Sequence, residues 1–437
     1  MAVSTSKGKT QSGAAAQKLR RRLKRLKAVA EAGFLVNSTL DLEHIAKHIV
    51  EIAARLIHAE RGTLFLLQKD GKSLLPIVAQ GVSVQTLRVK MGQGITGRVA
   101  ETSRPILLND AYTDKRFDPE FDRKTGLKTR SLLTVPIRNN QEGLVGVLQL
   151  VNHRKDHFTR EDIKFLSELA VPFAIALTSA KLHSEIVAQE KTKQELRLAA
   201  DIQRTLLPRD LSVVPGLELQ AEFQPCFEVA GDYYDLIPTQ RGSWWLVLGD
   251  VSGKGVASAM IASNIQAFLW SRRKDDKHLS EIASEANELL CTLARGRKYI
   301  TMILAEWRPG RKHLTWVNAG HPPMLLRSSG RVRRLAATGV PLGLLSGQCY
   351  SQDEAVLSGS DQFLMVSDGV TEAGEISRGE EFGLDRVVQC LKQDLSCEDL
   401  ANDLARKVSL FRRGAPAQDD LTILCGRCIE SPATRKT

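Results

Sequence analysis

From Leu182 to Leu207 the chain contains neither glycine nor proline, and Pro208 ends the run. Steps of four and three from Leu182 visit Ile186, Gln189, Lys193, Leu196, Ala200, Gln203 and Leu207, and five of these eight positions are apolar. The spacing predicts one continuous helix about 30 residues long, with a coiled-coil seam broken by polar positions. Such a helix cannot be folded into a single core, so it divides the chain in two. The length of 437 residues agrees, because one domain takes only about 100–200. A composition 43% hydrophobic and 25% charged lies near the globular average and excludes a fibrous or wholly disordered chain.

The formal charge of +11 sits mostly at one end: residues 1–30 hold nine Lys or Arg and no Asp or Glu, leaving about +2 for the rest. This stretch reads as a solvated basic tail running into a helix through Leu19, Leu23, Leu26 and Ala30. It lacks the aromatic interleaving of a nucleic-acid surface, so nucleic acid is disfavoured as a partner. The longest apolar stretch, Leu169–Leu177, includes Pro172 and is half of the about 18–20 residues a membrane-crossing helix needs. No membrane span is expected. Without a secretory apolar core at the start, the expected location is cytoplasmic. Seven cysteines, irregularly spaced between Cys226 and Cys428, are expected to be reduced thiols. Cys425 and Cys428 form a C-x-x-C with no second pair, which reads as strand cysteines rather than a zinc site.

In the first half, Asn37-Ser38-Thr39 suits a helix N-cap, and Ile45, Ile49, Ile52 and Leu56 trace one helical face. Short β-prone runs follow at Gly62–Gln68, Leu74–Ala79, Leu87–Lys90, Leu132–Ile137 and Gly143–Val151, with turn signals at Asp70-Gly71 and Gln80-Gly81. Thr159, with Glu161 and Asp162 behind it, opens a helix expected over Thr159–Ala180. The string Gly92-Gln93-Gly94-Ile95-Thr96-Gly97-Arg98-Val99-Ala100, followed by Asn109-Asp110, Ser131–Ile137, Gly146–Leu150 and Phe158–Asp162, resembles the GAF domain over about residues 28–180. That resemblance implies an antiparallel sheet backed by helices, in a family whose members bind small molecules or dimerise. Asn152, Lys155, Phe158 and Asp162 only loosely echo the cyclic-nucleotide-binding pattern, so the ligand stays unassigned.

From Glu218 onward the pattern is β-rich, with strands expected at Trp244–Leu248, Thr301–Trp307, Leu314–Asn318 and Gln362–Val366 and helices at Ala257–Arg272 and Leu279–Ala294. Four acidic motifs sit at the ends of such runs: Gly231-Asp232-Tyr233-Tyr234-Asp235, Gly249-Asp250-Val251-Ser252-Gly253-Lys254-Gly255, Ser367-Asp368-Gly369 and Gln418-Asp419-Asp420-Leu421-Thr422. Taken singly, each Asp is an ordinary turn residue. Gathered together, carboxylates repel unless a cation compensates them, and hard oxygen donors suit Mg²⁺ or Mn²⁺. The set points to a two-metal site.

With Leu206-Leu207-Pro208, Tyr299-Ile300-Thr301-Met302, Asn318-Ala319-Gly320-His321-Pro322-Pro323, Pro341-Leu342-Gly343 and Glu381-Phe382-Gly383, the ordered motifs resemble the PPM family of metal-dependent Ser/Thr phosphatases, in the bacterial SpoIIE and RsbU branch. The resemblance implies an α+β chain: a GAF antiparallel sheet with helices, a helical coiled-coil linker, then a PPM-type αββα sandwich. The expected divisions are a basic tail and helix over 1–27, the GAF sensor over 28–180, the linker over 181–207, the phosphatase over 208–430 and a tail over 431–437. Carried over by position, the metal-binding acids fall on Asp232, Asp250, Asp368 and Asp419, with Asp250 bridging two ions and Val251 giving a backbone carbonyl. Asp420 and Asp235 fall where they could orient a ligand or a water. The implied enzyme is a signal-regulated protein-serine/threonine phosphatase using Mn²⁺ or Mg²⁺ to activate water, without a phosphoenzyme. The implied substrate is a phosphorylated STAS-domain anti-sigma-factor antagonist. The implied assembly is a homodimer through the GAF half and linker helix.

Some positions depart from the family. Ser252 stands where eukaryotic members carry a His proposed as general acid, and Ala230 stands where the branch often has Gly. His321 is a candidate donor to the leaving group, against the plainer reading of a loop His fixed beside Pro322 and Pro323. Gly249–Gly255 is one residue short of a P-loop and ends in Gly255 where Ser or Thr is required. Gly253 and Gly255 instead permit a tight strand-to-helix turn that brings Lys254 to a phosphate entrance. The competing function is a catalytically silent, GAF-driven dimeric scaffold.

Overall fold

The computed structural model describes residues 40–81, 88–119, 128–139, 143–375 and 379–429, with a few isolated positions besides. The basic tail, its helix through Leu19 and Leu26, the Asn37–Thr39 cap and the tail over 431–437 lie outside the described residues. The chain forms two compact units that divide between Lys191 and Thr192.

In the first unit α1 (Leu42–Ile57) starts at Asp41, whose carboxylate accepts the His44 N–H, and stops at His58 in the left-handed conformation. A six-stranded antiparallel sheet follows in the order β3-β2-β1-β6-β5-β4. Its strands are β1 (Ala59–Leu67), β2 (Ser73–Ala79), β3 (Val89–Lys90), β4 (Ile106–Leu108), β5 (Leu132–Asn139) and β6 (Gly143–His153). Alternation along the strands splits the apolar residues between two faces. Leu64, Leu66, Leu148 and Leu150 pack with Ile45, Ile49 and Ile52 of α1 and with Phe165, Leu169 and Phe173. Phe65 and Val147 face the other way, onto Val99 and Ala100 of α2 (Gly94–Thr102). The glycine-rich string that opens α2 is a packing device: a Cβ on Gly97 would lie 2.2 Å from the Lys90 carbonyl oxygen.

Helix α3 runs unbroken from Arg160 to Leu206 with Pro172 inside it, so the two helices expected over Thr159–Ala180 and the linker are one. It opens on Thr159, whose N–H and hydroxyl meet the Asp162 carboxylate at 2.9 and 2.7 Å. By length and composition α3 is apolar enough to cross a membrane, but just over half of its apolar window is buried, and Phe165, Leu166, Leu169, Phe173 and Leu177 belong to the core.

The second unit contains two five-stranded antiparallel sheets, β14-β11-β10-β9-β8 and β13-β12-β15-β18-β7. The first sheet uses β8 (Tyr233–Pro238), β9 (Trp244–Val251), β10 (Ile300–Arg308), β11 (His313–Ala319) and β14 (Asp353–Val356). The second uses β7 (Leu217–Gln224), β12 (Met324–Ser328), β13 (Arg331–Leu335), β15 (Gln362–Val366) and β18 (Leu421–Cys428), beside a small ribbon of β16 (Gly374–Glu375) and β17 (Glu380–Glu381). Leu246, Leu248, Ile303 and Trp307 meet Leu326, Phe363, Met365 and Leu424 between the sheets. Trp245 and Val247, the alternate residues of β9, face outward onto α4 (Val256–Arg272) and α5 (Leu279–Ala294). Leu364 and Val366 likewise face α7 (Gly383–Leu391) and α8 (Cys397–Arg412), with the single turn α6 (Asp368–Thr371) just after β15. The result is the expected αββα sandwich.

Candidate metal centre

Strand register brings the acids together, two from one sheet and three from the other. Tyr233 of β8 pairs with Gly249 of β9, which sets Asp232 beside Asp250. Val366 of β15 pairs with Ile423 of β18, and the Ser367 N–H donates to the Thr422 carbonyl at 3.0 Å, which sets Asp368 beside Asp419 and Asp420. Gly369 is required by this approach, because a Cβ there would lie 1.9 Å from the Asp420 carbonyl oxygen.

The cluster holds more negative charge than its surroundings neutralise. Burial, and then the Asp250 charge, push the Asp232 carboxyl well above the usual range. Burial and the charges of Asp368, Asp419 and Asp420 raise Asp250 to about 7, while a hydrogen bond with Asp232 opposes the shift. Asp368 is raised to about 6 by burial and by Asp419 and Glu372. Its Oδ1 is buried without a hydrogen-bond partner. Asp419 is paired with Lys254, Nζ to Oδ2 at 2.9 Å. Burial opposes the charge on Lys254, yet the bond to Asp419 outweighs it and holds the ammonium pKa above its ordinary value. Among the described residues no group of three or more His, Cys, Asp or Glu side chains is placed so as to hold a metal ion. The donor set nonetheless fits a hard divalent cation: clustered carboxylate oxygens, excess negative charge and one orphaned buried oxygen.

The supporting candidates separate. Asp420 accepts the N–H groups of Cys226 at 2.6 Å and Gly231 at 2.7 Å, so it holds the loop that carries Asp232. Asp235 is turned away from the cluster, contrary to the orienting role expected of it. Its carboxylate accepts from Tyr233 Oη at 2.7 Å, Trp270 Nε1 at 2.8 Å and Gln266 Nε2 at 3.3 Å, which anchors α4 to β8. His321 touches none of the acids: its Nδ1 lies 2.8 Å from Thr301 Oγ1, and burial drives its pKa down to about 4. Thr301 is the cross-strand partner of Asp250, so His321 lies behind the site. Gly253 and Gly255 both have positive φ, as the turn before α4 requires. Val251 is buried at the end of β9, its carbonyl oxygen 3.2 Å from where a Cβ on Gly231 would stand.

Sequence reading missed two residues at this site. Thr422 donates its hydroxyl to Asp232 Oδ2, and its place two residues after Asp420 was the available signal. Gln203, near the end of α3, pairs through both ends of its amide with Ala230, donating to the carbonyl at 2.8 Å and accepting the N–H at 3.0 Å. In the first unit, the residues that echo the cyclic-nucleotide pattern are occupied with structure. Asn152 bridges Arg130 N–H, Glu60 and the Lys128 carbonyl, while Asp162 caps α3. A separate groove of about 640 Å³ lies among Glu51, Arg55, His58, Glu60, Arg61 and Arg154.

Residues 41–177 match the GAF domain model, and residues 240–428 match the model of Stage II sporulation protein E (SpoIIE). The chain joins a GAF domain to a SpoIIE-type domain of the PPM phosphatases. Over 212 residues it is 28% identical to phosphoserine phosphatase RsbU of Bacillus subtilis, which covers 48% of this chain and 62% of RsbU. Over 161 residues it is 34% identical to dual 3',5'-cyclic-AMP and -GMP phosphodiesterase 11A of Takifugu rubripes, covering 34% of this chain and 18% of that protein. The chain thus spans less than two thirds of either relative. Among solved structures, the SiaA-PP2C domain of Pseudomonas aeruginosa aligns with a TM-score of 0.49 at 23% identity, covering 55% of this chain and 98% of that one. Asp250, Val251, Asp368 and Asp419 fall inside the SpoIIE match, and Asp232 lies eight residues before it.

Proposed function

We propose that the chain is a signal-regulated protein-serine/threonine phosphatase acting on phosphoserine or phosphothreonine in a protein. The observation that carries this reading is the buried, unpartnered Oδ1 of Asp368 within a cluster where burial and neighbouring charge force the Asp232 and Asp250 carboxyls upward in pKa. Asp232, Asp250, Asp368, Asp419 and the Val251 carbonyl are the groups that would hold Mn²⁺ or Mg²⁺, with Asp250 shared. When bound, such ions supply positive charge to the phosphoryl oxygens and lower the pKa of the attacking water.

The chain's own groups prepare that chemistry. Thr422 fixes one oxygen of Asp232, and Asp420 fixes the backbone on either side of the loop before it. Lys254 offers a cation at the cleft for a phosphate dianion, balanced by Asp419 until substrate arrives. Residues 28–180 serve as the sensor, 181–207 as the linker and 208–430 as the phosphatase, in a cytoplasmic homodimer. Exposed Leu182 and Ile186, the first two seam positions on α3, support the pairing. A small-molecule or partner signal at the GAF domain then acts through the end of α3, where Gln203 grips Ala230 two residues before Asp232. RsbU is a phosphoserine phosphatase by name, and a phosphorylated STAS-domain anti-sigma antagonist is the proposed substrate class here.

The test is hydrolysis of an aryl phosphate and of a phosphoserine protein by the full chain and Asp250→Asn, titrated with Mn²⁺ and Mg²⁺ after chelation. Metal-dependent turnover in the wild type, lost by more than about 100-fold in the variant, is expected, since even outer-shell losses cost 10–100-fold. Metal binding without turnover, in a chain with its dimer and any GAF signal supplied, would leave the silent scaffold as the function.

A further inference from the structure

The turn that follows Asp250 is held from beneath by a cation that no acidic motif includes. Lys298 lies between α5 and β10, and its ammonium donates to the Ser252 carbonyl and lies 3.3 Å from Ser258 Oγ. Ser258 in turn donates to the Gly253 carbonyl at 2.8 Å. The ammonium lies directly over the Gly253 Cα: a Cβ there would be 2.4 Å from Nζ. Gly253 therefore answers two demands, a φ of +79° and room for Lys298. The same turn is tied to the start of β10, since Ser252 N–H donates to the Tyr299 carbonyl at 2.9 Å and Tyr299 N–H donates to Ser252 Oγ at 3.0 Å. Across from it, the Val251 and Gly253 carbonyl oxygens stand 3.2 and 3.4 Å from the position a Gly231 Cβ would take. The backbone leaving Asp250 is thus packed against the backbone entering Asp232.

We propose that Lys298 is a positioning residue for the metal centre: its ammonium gathers the Ser252 carbonyl and, through Ser258, the Gly253 carbonyl, and so fixes the direction of the Val251 carbonyl and the Asp250 carboxylate. A lysine suits this place. Carbonyl oxygens crowded at a tight turn repel one another, and a compact ammonium with three donors can satisfy several at once, whereas a neutral side chain leaves them unpaired. The role rests on the phosphatase reading, but it concerns order in the turn and does not require Lys298 to meet the substrate.

The experiment measures Mn²⁺ binding by calorimetry on the full chain for wild type, Lys298→Met, Lys298→Arg, Gly253→Ala and the double variant Gly253→Ala/Lys298→Met, alongside kcat and KM. Lys298→Met is expected to weaken Mn²⁺ binding by about 10-fold or more and to lower kcat with little change in KM, with partial recovery in Lys298→Arg. The double variant is expected to be no worse than Gly253→Ala alone, because both changes disrupt one turn. Unchanged Mn²⁺ affinity in Lys298→Met, or strictly additive losses in the double variant, would overturn the positioning role while leaving the phosphatase reading intact. A wild type that binds no Mn²⁺ would overturn both.

Discussion

Asp122 in the GAF domain and Asp368 in the SpoIIE-type domain are both carboxylates with buried oxygens, and their surroundings treat them in opposite ways. Asp122 is fully provided for: Thr129 N–H at 2.6 Å, Thr129 Oγ1 at 2.8 Å and Tyr112 Oη at 2.8 Å all donate to it. Asp368 has one oxygen with no donor and lies among carboxylates that raise its pKa. Burying a charge without partners costs several kcal/mol, so an orphaned carboxylate oxygen calls for an explanation, and among clustered carboxylates a bound cation supplies one. Asp235 belongs with Asp122 despite its place in an acidic motif, because Tyr233, Trp270 and Gln266 satisfy it from within. Motif membership is therefore a weaker guide to function than unmet hydrogen-bonding capacity.

The largest effect should come from Asp368→Asn. Metal-dependent turnover should fall by more than about 100-fold, while the melting temperature after chelation stays level or rises, since a crowded buried charge has been removed. A variant that melted well below wild type would show that Asp368 is structural, like Asp122, and the contrast would collapse.

Gln203→Ala probes the same cluster from the helix side. Ala230 N–H and C=O both lose their partner, so about 1 kcal/mol of stability and about 10-fold in Mn²⁺ affinity should be lost together. Stability lost at unchanged Mn²⁺ affinity would reduce the clamp to a packing contact. Asp122→Asn should do the reverse of Asp368→Asn: it should cost about 1–3 kcal/mol in thermal or urea denaturation and leave Mn²⁺ affinity unchanged. An effect on metal binding of the size seen in Asp368→Asn would mean that the two regions are not distinguished as drawn.

The sequence carried these features unequally. Strand and helix positions were readable where apolar residues alternate or recur on one face, as at Gln362–Val366 and Leu279–Ala294, whose expected and observed limits coincide. The four candidate acids were readable because each lies at or just beyond the end of a strand within a short motif. Contacts between distant segments were not. Gln203 to Ala230, Lys298 to Ser252 and Cys226 to Asp420 each join a side chain to a backbone group, and backbone groups are the same in every residue. The outward role of Asp235 was hidden for a related reason: its partners Gln266 and Trp270 lie one helical turn apart on α4, where they read as ordinary amphipathic residues. The sequence pattern separates a helix over Thr159–Ala180 from a linker helix beginning at Leu182, and the structure joins them into one; Pro172 stays inside it, with the neighbouring Leu169, Phe173 and Leu177 packed into the GAF core.

The smallest effect is the dependence of stability on pH. Asp250 at about 7 and Asp368 at about 6 both stand above the ordinary 3.8, so between roughly pH 4 and 7 the folded chain binds more protons than the unfolded one. Their contribution to stability is complete below the ordinary carboxylate pKa and is lost as pH rises through 6 to 7. The chelated protein should therefore lose a few degrees of melting temperature between pH 5 and pH 8 from this source, and Asp250→Asn should lose less. Added Mn²⁺ should raise the melting temperature more at pH 8 than at pH 5, because at low pH protons occupy the same carboxylate oxygens. Asp122→Asn should leave that Mn²⁺ response untouched at both pH values. A wild-type response equal at pH 5 and pH 8 would place the Mn²⁺ on groups other than this carboxylate cluster.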